Sequence, residues 1–189
     1  MVLTKVKMSE LDVEVAGGKL DLIYTYGTLK KGFPNHHLLE DMIGKNDAVF
    51  RGSCMTIEQY PLVCGLYGVP YMIHLPGSGN RIKGELYGVT SRGLPQLDEL
   101  EGLTMKHYER HRVRVAMEEG SAEELEAEAY FAHGSYGEAL WKKRGQLGMS
   151  EYRLEDALDY MKMEQRAQYK SVVHELFEFV GSAPTNSGD

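Results

Sequence analysis

The sequence predicts an α+β fold: a rolled, mostly antiparallel sheet or small β-barrel, with flanking helices and a long C-terminal helix. Three observations carry this expectation. Strand-like runs broken by Gly and Pro crowd residues 20–89, a second pair of alternating runs follows at 112–132, and helical spacing is confined to short windows until one long stretch near the C-terminus.

The first element is the run Leu22, Tyr24 and Tyr26 alternating with Ile23, Thr25 and Gly27, rich in aromatic and β-branched residues and stopping at the glycine. A loop from Lys30 to Asn35 follows, containing Gly32 and Pro34, and then Leu38, Leu39, Met42 and Ile43 recur at helical spacing before Gly44. Ala48 to Val89 reads as several short strands with a turn at Pro76-Gly77-Ser78-Gly79-Asn80. Ser91 to Gly102 changes to helical period: Pro95 suits a first turn, Leu94, Leu97 and Leu100 repeat, and Gly102 suits the stop. Arg112 to Met117 and Glu126 to Ala132 form a hairpin around an acidic, polar stretch. From Ser150 to Val180, Leu154, Leu158, Met161, Tyr169, Val172, Leu176 and Val180 recur near a 3.6 period, which predicts one long helix with an apolar stripe for intramolecular packing or for a homodimer.

These elements divide the chain into a flexible arm at 1–18, a barrel domain at 19–148, the C-terminal helix at 149–180 and a disordered tail at 181–189. With 189 residues, 42% of them hydrophobic, the chain can bury one sizeable core and not two. A formal charge of −7 disfavours nucleic acid and anionic membrane surfaces as partners, because the overall field repels both. No apolar run reaches the roughly 18 residues of a membrane span, and the first residues lack the apolar run of about 7 to 15 that marks a secretory signal. The expected location is cytoplasmic, where Cys54 and Cys64 stay reduced.

Glu101 is the most informative position. On a helix it falls four residues after Leu97 and seven after Leu94, so its carboxylate faces the apolar side. A carboxylate there costs free energy unless it is paired or used. Structural alternatives are a cap on a neighbouring strand, a bond to Arg110, or fraying beside Gly102. The second feature is Tyr26-Gly27-Thr28-Leu29-Lys30-Lys31-Gly32: a strand that turns sharply after a Gly leaves successive N–H groups for an anion, or is simply an ordinary corner with solvated lysines. His36, His37, His74, His107, His111, His133 and His174 show no metal-ligand spacing. No Gly-x-Ser-x-Gly elbow, Walker loop or dinucleotide fingerprint is present. No metal is therefore expected.

Taken together, several segments resemble the γ-glutamyl cyclotransferase-like superfamily, most closely its γ-glutamylamine cyclotransferase and plant avirulence-induced branch. The matching text is Tyr26 to Gly32 with Pro34-Asn35-His36, then Pro61-Leu62-Val63, His74 to Gly79, Gly84-Glu85-Leu86-Tyr87, and Leu97 to Gly102 leading to Tyr108-Glu109-Arg110. The resemblance covers roughly Asp21 to Ala132 and implies a small mixed, mostly antiparallel β-barrel. It implies that main-chain groups of Tyr26, Gly27, Thr28 and Leu29 hold the α-carboxylate of a small γ-glutamyl substrate, that Tyr108 lines the pocket, and that Glu101 is the acid/base for forming 5-oxoproline without a cofactor. Two other readings stay open: a binding or regulatory module on the same fold, and a cyclotransferase for γ-glutamyl amino acids or glutathione.

Overall fold

The structure, a computed structural model, describes residues 19–118, 124–162 and 171–181. Along the chain run β1 (Asp21–Thr25), α1 (His36–Gly44), β2 (Ala48–Thr56), β3 (Leu62–Cys64), β4 (Pro70–Met72), β5 (Lys83–Val89), α2 (Leu94–Leu100), β6 (Tyr108–Met117), β7 (Glu124–Ala132), α3 (Gly137–Lys143) and α4 (Val172–Gly181). Five strands close into a barrel in the order β1-β5-β2-β6-β7. The closing pair, β1 with β7, is parallel, with Ile23 opposite Glu128 and Tyr24 opposite Ala129. All other barrel pairs are antiparallel, so the barrel is mixed and mostly antiparallel, as expected.

Alternation along the strands explains why both faces are apolar. Tyr24, Cys54, Leu86, Val115, Ala129 and Phe131 cluster inside, while Ile23, Tyr87, Val89, Tyr130 and Ala132 pack outward with Leu39 and Met42 of α1, Leu97 of α2 and Leu140 of α3. Side chains one residue apart on a strand point to opposite faces, so a strand covered on both sides reads as almost continuously apolar. Each large side chain buried in this way contributes about 1.5–3 kcal/mol. On α1, Leu39 and Met42 are buried as their spacing predicts, but Ile43 is exposed and His36 takes the third inward position, with Nδ1 2.9 Å from the Leu29 carbonyl.

The several short strands expected between Ala48 and Val89 are present: two join the barrel, and β3 and β4 pair only with each other as a separate ribbon. One expectation is corrected. The single helix expected from Ser150 to Val180 is not continuous. Leu154 to Asp159 forms turns, helix α4 covers Val172–Gly181, and residues 163–170 lie outside the described residues. Tertiary anchors override the helical period here. Lys30 Nζ donates to the Tyr152 carbonyl at 2.7 Å, Tyr152 Oη donates to the Gly68 carbonyl at 2.9 Å, and Met161 N donates to the Tyr67 carbonyl at 3.1 Å. Three stripe residues consequently face out, Leu154 at 60%, Leu158 at 83% and Met161 at 39% exposure, whereas Leu176 of α4 is fully buried. The expected arm, 1–18, and the tail beyond Gly181 also lie outside the described residues. Cys54 and Cys64 are both free thiols, and burial pushes them up to about 12 and about 11 respectively.

Candidate active site

The cavity lies where the end of β1, the end of α2 and the start of β6 converge, and it encloses about 500 Å³. Glu101 enters it from the C-terminal end of α2. Its N–H closes the last turn on the Leu97 carbonyl at 2.9 Å. Gly102 follows in the left-handed region, φ 64°, which lets the chain reverse immediately and leaves the Glu101 side chain at the turn. Glu101 is part-buried, and its carboxyl has no hydrogen bond or ion pair among the described residues. Burial alone raises its pKa from the ordinary 4.5 to about 8. The alternative partner Arg110 is engaged elsewhere, at 3.6 Å from Asp98 and 3.5 Å from Glu128.

Opposed to this uncompensated acid is a set of unused donors. The carbonyls of Gly27 and Thr28 accept from the N–H groups of Lys30 and Asn35 at 3.1 and 3.0 Å, so the loop is tightly wound. The N–H groups of Gly27, Thr28 and Leu29, which line the cavity, have no acceptor among the described residues. Consecutive unpaired amides at a cavity wall form a concave anion site. Gly27 is required by close approach: a Cβ there would lie 2.7 Å from Pro70 Cγ. Gly27→Ala is expected to push Pro70 into the cavity and raise KM for a carboxylate ligand about tenfold or more with a smaller effect on kcat, as steady-state kinetics would show.

The flanking lysines are not both solvated. Lys30 is buried against Phe33, with Nζ 4.6 Å from the ring centroid, and burial lowers its pKa. The Lys31 N–H donates to Glu85 Oε2 at 2.9 Å.

The tyrosines bracket the site with their hydroxyls already committed to protein. Tyr26 Oη donates to the Tyr130 carbonyl at 2.7 Å and accepts from Met72 N–H at 3.1 Å. Tyr108 Oη donates to the Pro70 carbonyl at 2.9 Å, and its ring stacks on Tyr71 with centroids 5.2 Å apart. Burial raises both phenols well above their ordinary pKa. Tyr26 and Tyr108 thus reach the cavity through ring and main chain. Tyr26→Phe leaves two buried backbone groups short of a partner and is expected to cost about 1–3 kcal/mol in urea unfolding.

The helix carrying Glu101 is held by the residue three positions earlier. Tyr130 Oη donates to Asp98 Oδ1 at 2.7 Å, and Arg110 reaches the same oxygen. Sequence reading does not single out Asp98; in the structure that residue fixes α2 to the barrel. It likewise passes over Asn35, Pro70, His107, Tyr160 and Lys162, all of which line the cavity. Asn35 stands inside the resembling segment and could have been found there, whereas Tyr160 and Lys162 were concealed by the helical period of their neighbours.

The family described as Gamma-glutamyl cyclotransferase, AIG2-like matches residues 23–151. The chain belongs to that family. As a cyclotransferase-family member it is 44% identical, over 85% of its own length and 92% of the other's, to an Arabidopsis thaliana protein provisionally named a gamma-glutamylcyclotransferase. It is 43% identical to the human protein named gamma-glutamylaminecyclotransferase over 53% of this chain and 65% of that one. Among solved structures, a mouse AIG2-like protein shares the family fold with a TM-score of 0.68 and 30% identity, over 78% of this chain and 99% of that one. Both cavity walls, the 26–29 loop and the Glu101 turn, fall inside the family match, while Tyr160 and Lys162 fall outside it.

Proposed function

We propose that this protein is a γ-glutamylamine cyclotransferase: the α-amine of a γ-glutamyl amide attacks its own γ-carbonyl carbon, forming 5-oxoproline and releasing the amine. The observation that carries this reading is a part-buried carboxyl with no hydrogen bond or ion pair among the described residues, sharing one cavity with three main-chain N–H groups that have no acceptor among those residues. The relatives' names and the family match add support.

The chemistry follows from those groups. The amides of Gly27, Thr28 and Leu29 bind the α-carboxylate, which fixes the adjacent amine over the γ-carbonyl. Such orientation can lower a barrier by about 7–11 kcal/mol. As the new C–N bond forms, the amine gives a proton to Glu101. As the old amide C–N bond breaks, Glu101 returns that proton to the departing nitrogen, so the enzyme ends as it began. An exposed carboxylate near pKa 4.3 would take a proton from an amine near 8 at a cost of roughly 5 kcal/mol. With Glu101 raised to about 8, that mismatch nearly vanishes, and the same group becomes a competent acid for the leaving step.

Side-by-side turnover of γ-glutamyl-ε-lysine, γ-glutamyl-alanine and glutathione, followed by 5-oxoproline release, tests the reading. Preference for the first supports it. Preference for either of the others moves the protein to the amino-acid or glutathione class. Saturable binding without 5-oxoproline from any of the three makes it a binding module.

A further inference from the structure

We infer that Asn35 is a positioning residue for the carboxylate site: it holds the Thr28 hydroxyl with its proton toward the bound anion, adding a side-chain donor to the amides of Gly27, Thr28 and Leu29. This rests on the cyclotransferase reading and deepens it at the end of the substrate that the amides grip.

Asn35 occupies the N-cap of α1, where an asparagine side-chain oxygen ordinarily accepts from a free N–H of the first turn and contributes about 1 kcal/mol. It makes no such bond. Its amide is turned to the cavity wall instead. Nδ2 donates to Thr28 Oγ1 at 3.0 Å and to Tyr160 Oη at 2.8 Å, while the Asn35 N–H donates to the Thr28 carbonyl at 3.0 Å. All three residues line the cavity. The second acceptor is itself held in place. The Tyr160 N–H donates to the Ala157 carbonyl at 3.1 Å and the Met161 N–H to the Tyr67 carbonyl at 3.1 Å. Gly68, at φ +67°, packs so closely under this strap that a Cβ would lie 2.8 Å from the Asp159 carbonyl carbon.

The consequence follows from counting protons. The side-chain amide nitrogen carries two, and both are used. A threonine hydroxyl carries one proton and two lone pairs. Because Thr28 Oγ1 accepts from Asn35, its own proton is left for another acceptor, and a carboxylate on the neighbouring amides supplies one. The resulting bond is charge-assisted and is strengthened by the donor behind it. With the Asn35 amide turned the other way, Oδ1 would take the Thr28 proton and the hydroxyl would present lone pairs to the anion. Thr28 therefore binds through its side chain as well as its main chain, and Asn35 sets the polarity of that contact.

The probes are 5-oxoproline and its uncharged analogue 5-oxoprolinamide, whose binding to the full chain is followed by calorimetry. Thr28→Val is expected to weaken 5-oxoproline binding about 10- to 100-fold, the range of a hydrogen bond to a charged group, with a smaller loss for the uncharged analogue. Thr28→Ser should retain the affinity. Asn35→Ala should weaken 5-oxoproline binding strongly in the wild-type background and much less in the Thr28→Val background, where the contact it supports is already gone. An Asn35 that serves structure alone would cost the same in both backgrounds, and that additive result overturns the proposal. So does a Thr28→Val protein that binds 5-oxoproline as tightly as wild type. Either result beside normal turnover of γ-glutamyl-ε-lysine leaves the reaction standing. The expected cycle with no 5-oxoproline released from any of the three substrates above keeps the Asn35 role and overturns the reaction. Binding of neither probe by wild-type protein overturns the carboxylate site and this role with it.

Discussion

Glu101→Gln is expected to fold, to retain affinity for a γ-glutamyl ligand and to lose turnover by about 10²- to 10⁴-fold, the range for removing a positioned general acid/base. The amide is nearly isosteric with the acid, and the carboxyl makes no hydrogen bond or ion pair among the described residues, so nothing else is disconnected. What the variant lacks is the proton exchange between attacking and leaving nitrogens. The check is 5-oxoproline release under single-turnover conditions beside ligand binding by calorimetry. Unchanged release would remove Glu101 from the reaction, and lost binding would make its role one of shape.

The second large effect is on stability. Glu101 has a folded-state pKa of about 8 against an ordinary 4.5. Below pH 4.5 the carboxyl is neutral in both folded and unfolded chains and burial costs nothing extra. As pH rises from 4.5 through 8 the unfolded chain ionises first, so stability present at acid pH is lost across that window. At about 1.36 kcal/mol per pH unit the ceiling is about 5 kcal/mol, and partial access to the cavity reduces the expected loss to about 2–4 kcal/mol. Gln cannot ionise. Urea unfolding should therefore find Glu101→Gln and wild type equal near pH 4 and the variant more stable by that amount near pH 8, the other titrating groups cancelling in the difference. Equal stability at both pH values would mean that the carboxyl is well solvated. A functional group that destabilises its own fold is the ordinary consequence of placing an unpaired charge where chemistry needs it.

Local patterns account for the parts of this molecule that the sequence made readable. Tyr24 and Leu86 announce the barrel because alternation records which face each side chain serves, and Leu94, Leu97 and Gly102 announce the turn that delivers Glu101 because a helical repeat and a left-handed stop are both short-range. The quoted segments from Tyr26 to Gly32 and from Leu97 to Gly102 mark two walls of the cavity for the same reason. Long-range pairing is where reading failed. Nothing near Leu62 or Tyr71 says that β3 and β4 leave the barrel to pair with each other. Leu154 and Leu158 keep a helical period although Lys30, over a hundred residues away, holds the adjacent Tyr152 in a turn-rich strap. No local pattern singles out Asp98, because its partners, Arg110 and Tyr130, lie on strands β6 and β7. In each case the deciding contact joins residues that no window of ten or twenty positions contains.

The most direct measurement is a carbon-13 titration of the Glu101 side-chain carboxyl, assigned by its disappearance in Glu101→Gln. A midpoint near pH 8 in the free protein is the expected result, showing a carboxyl whose proton affinity is matched to that of the attacking amine. A midpoint near 4.5 would contradict it, since a carboxylate solvated to that degree could neither take the amine's proton cheaply nor hold it for the leaving nitrogen.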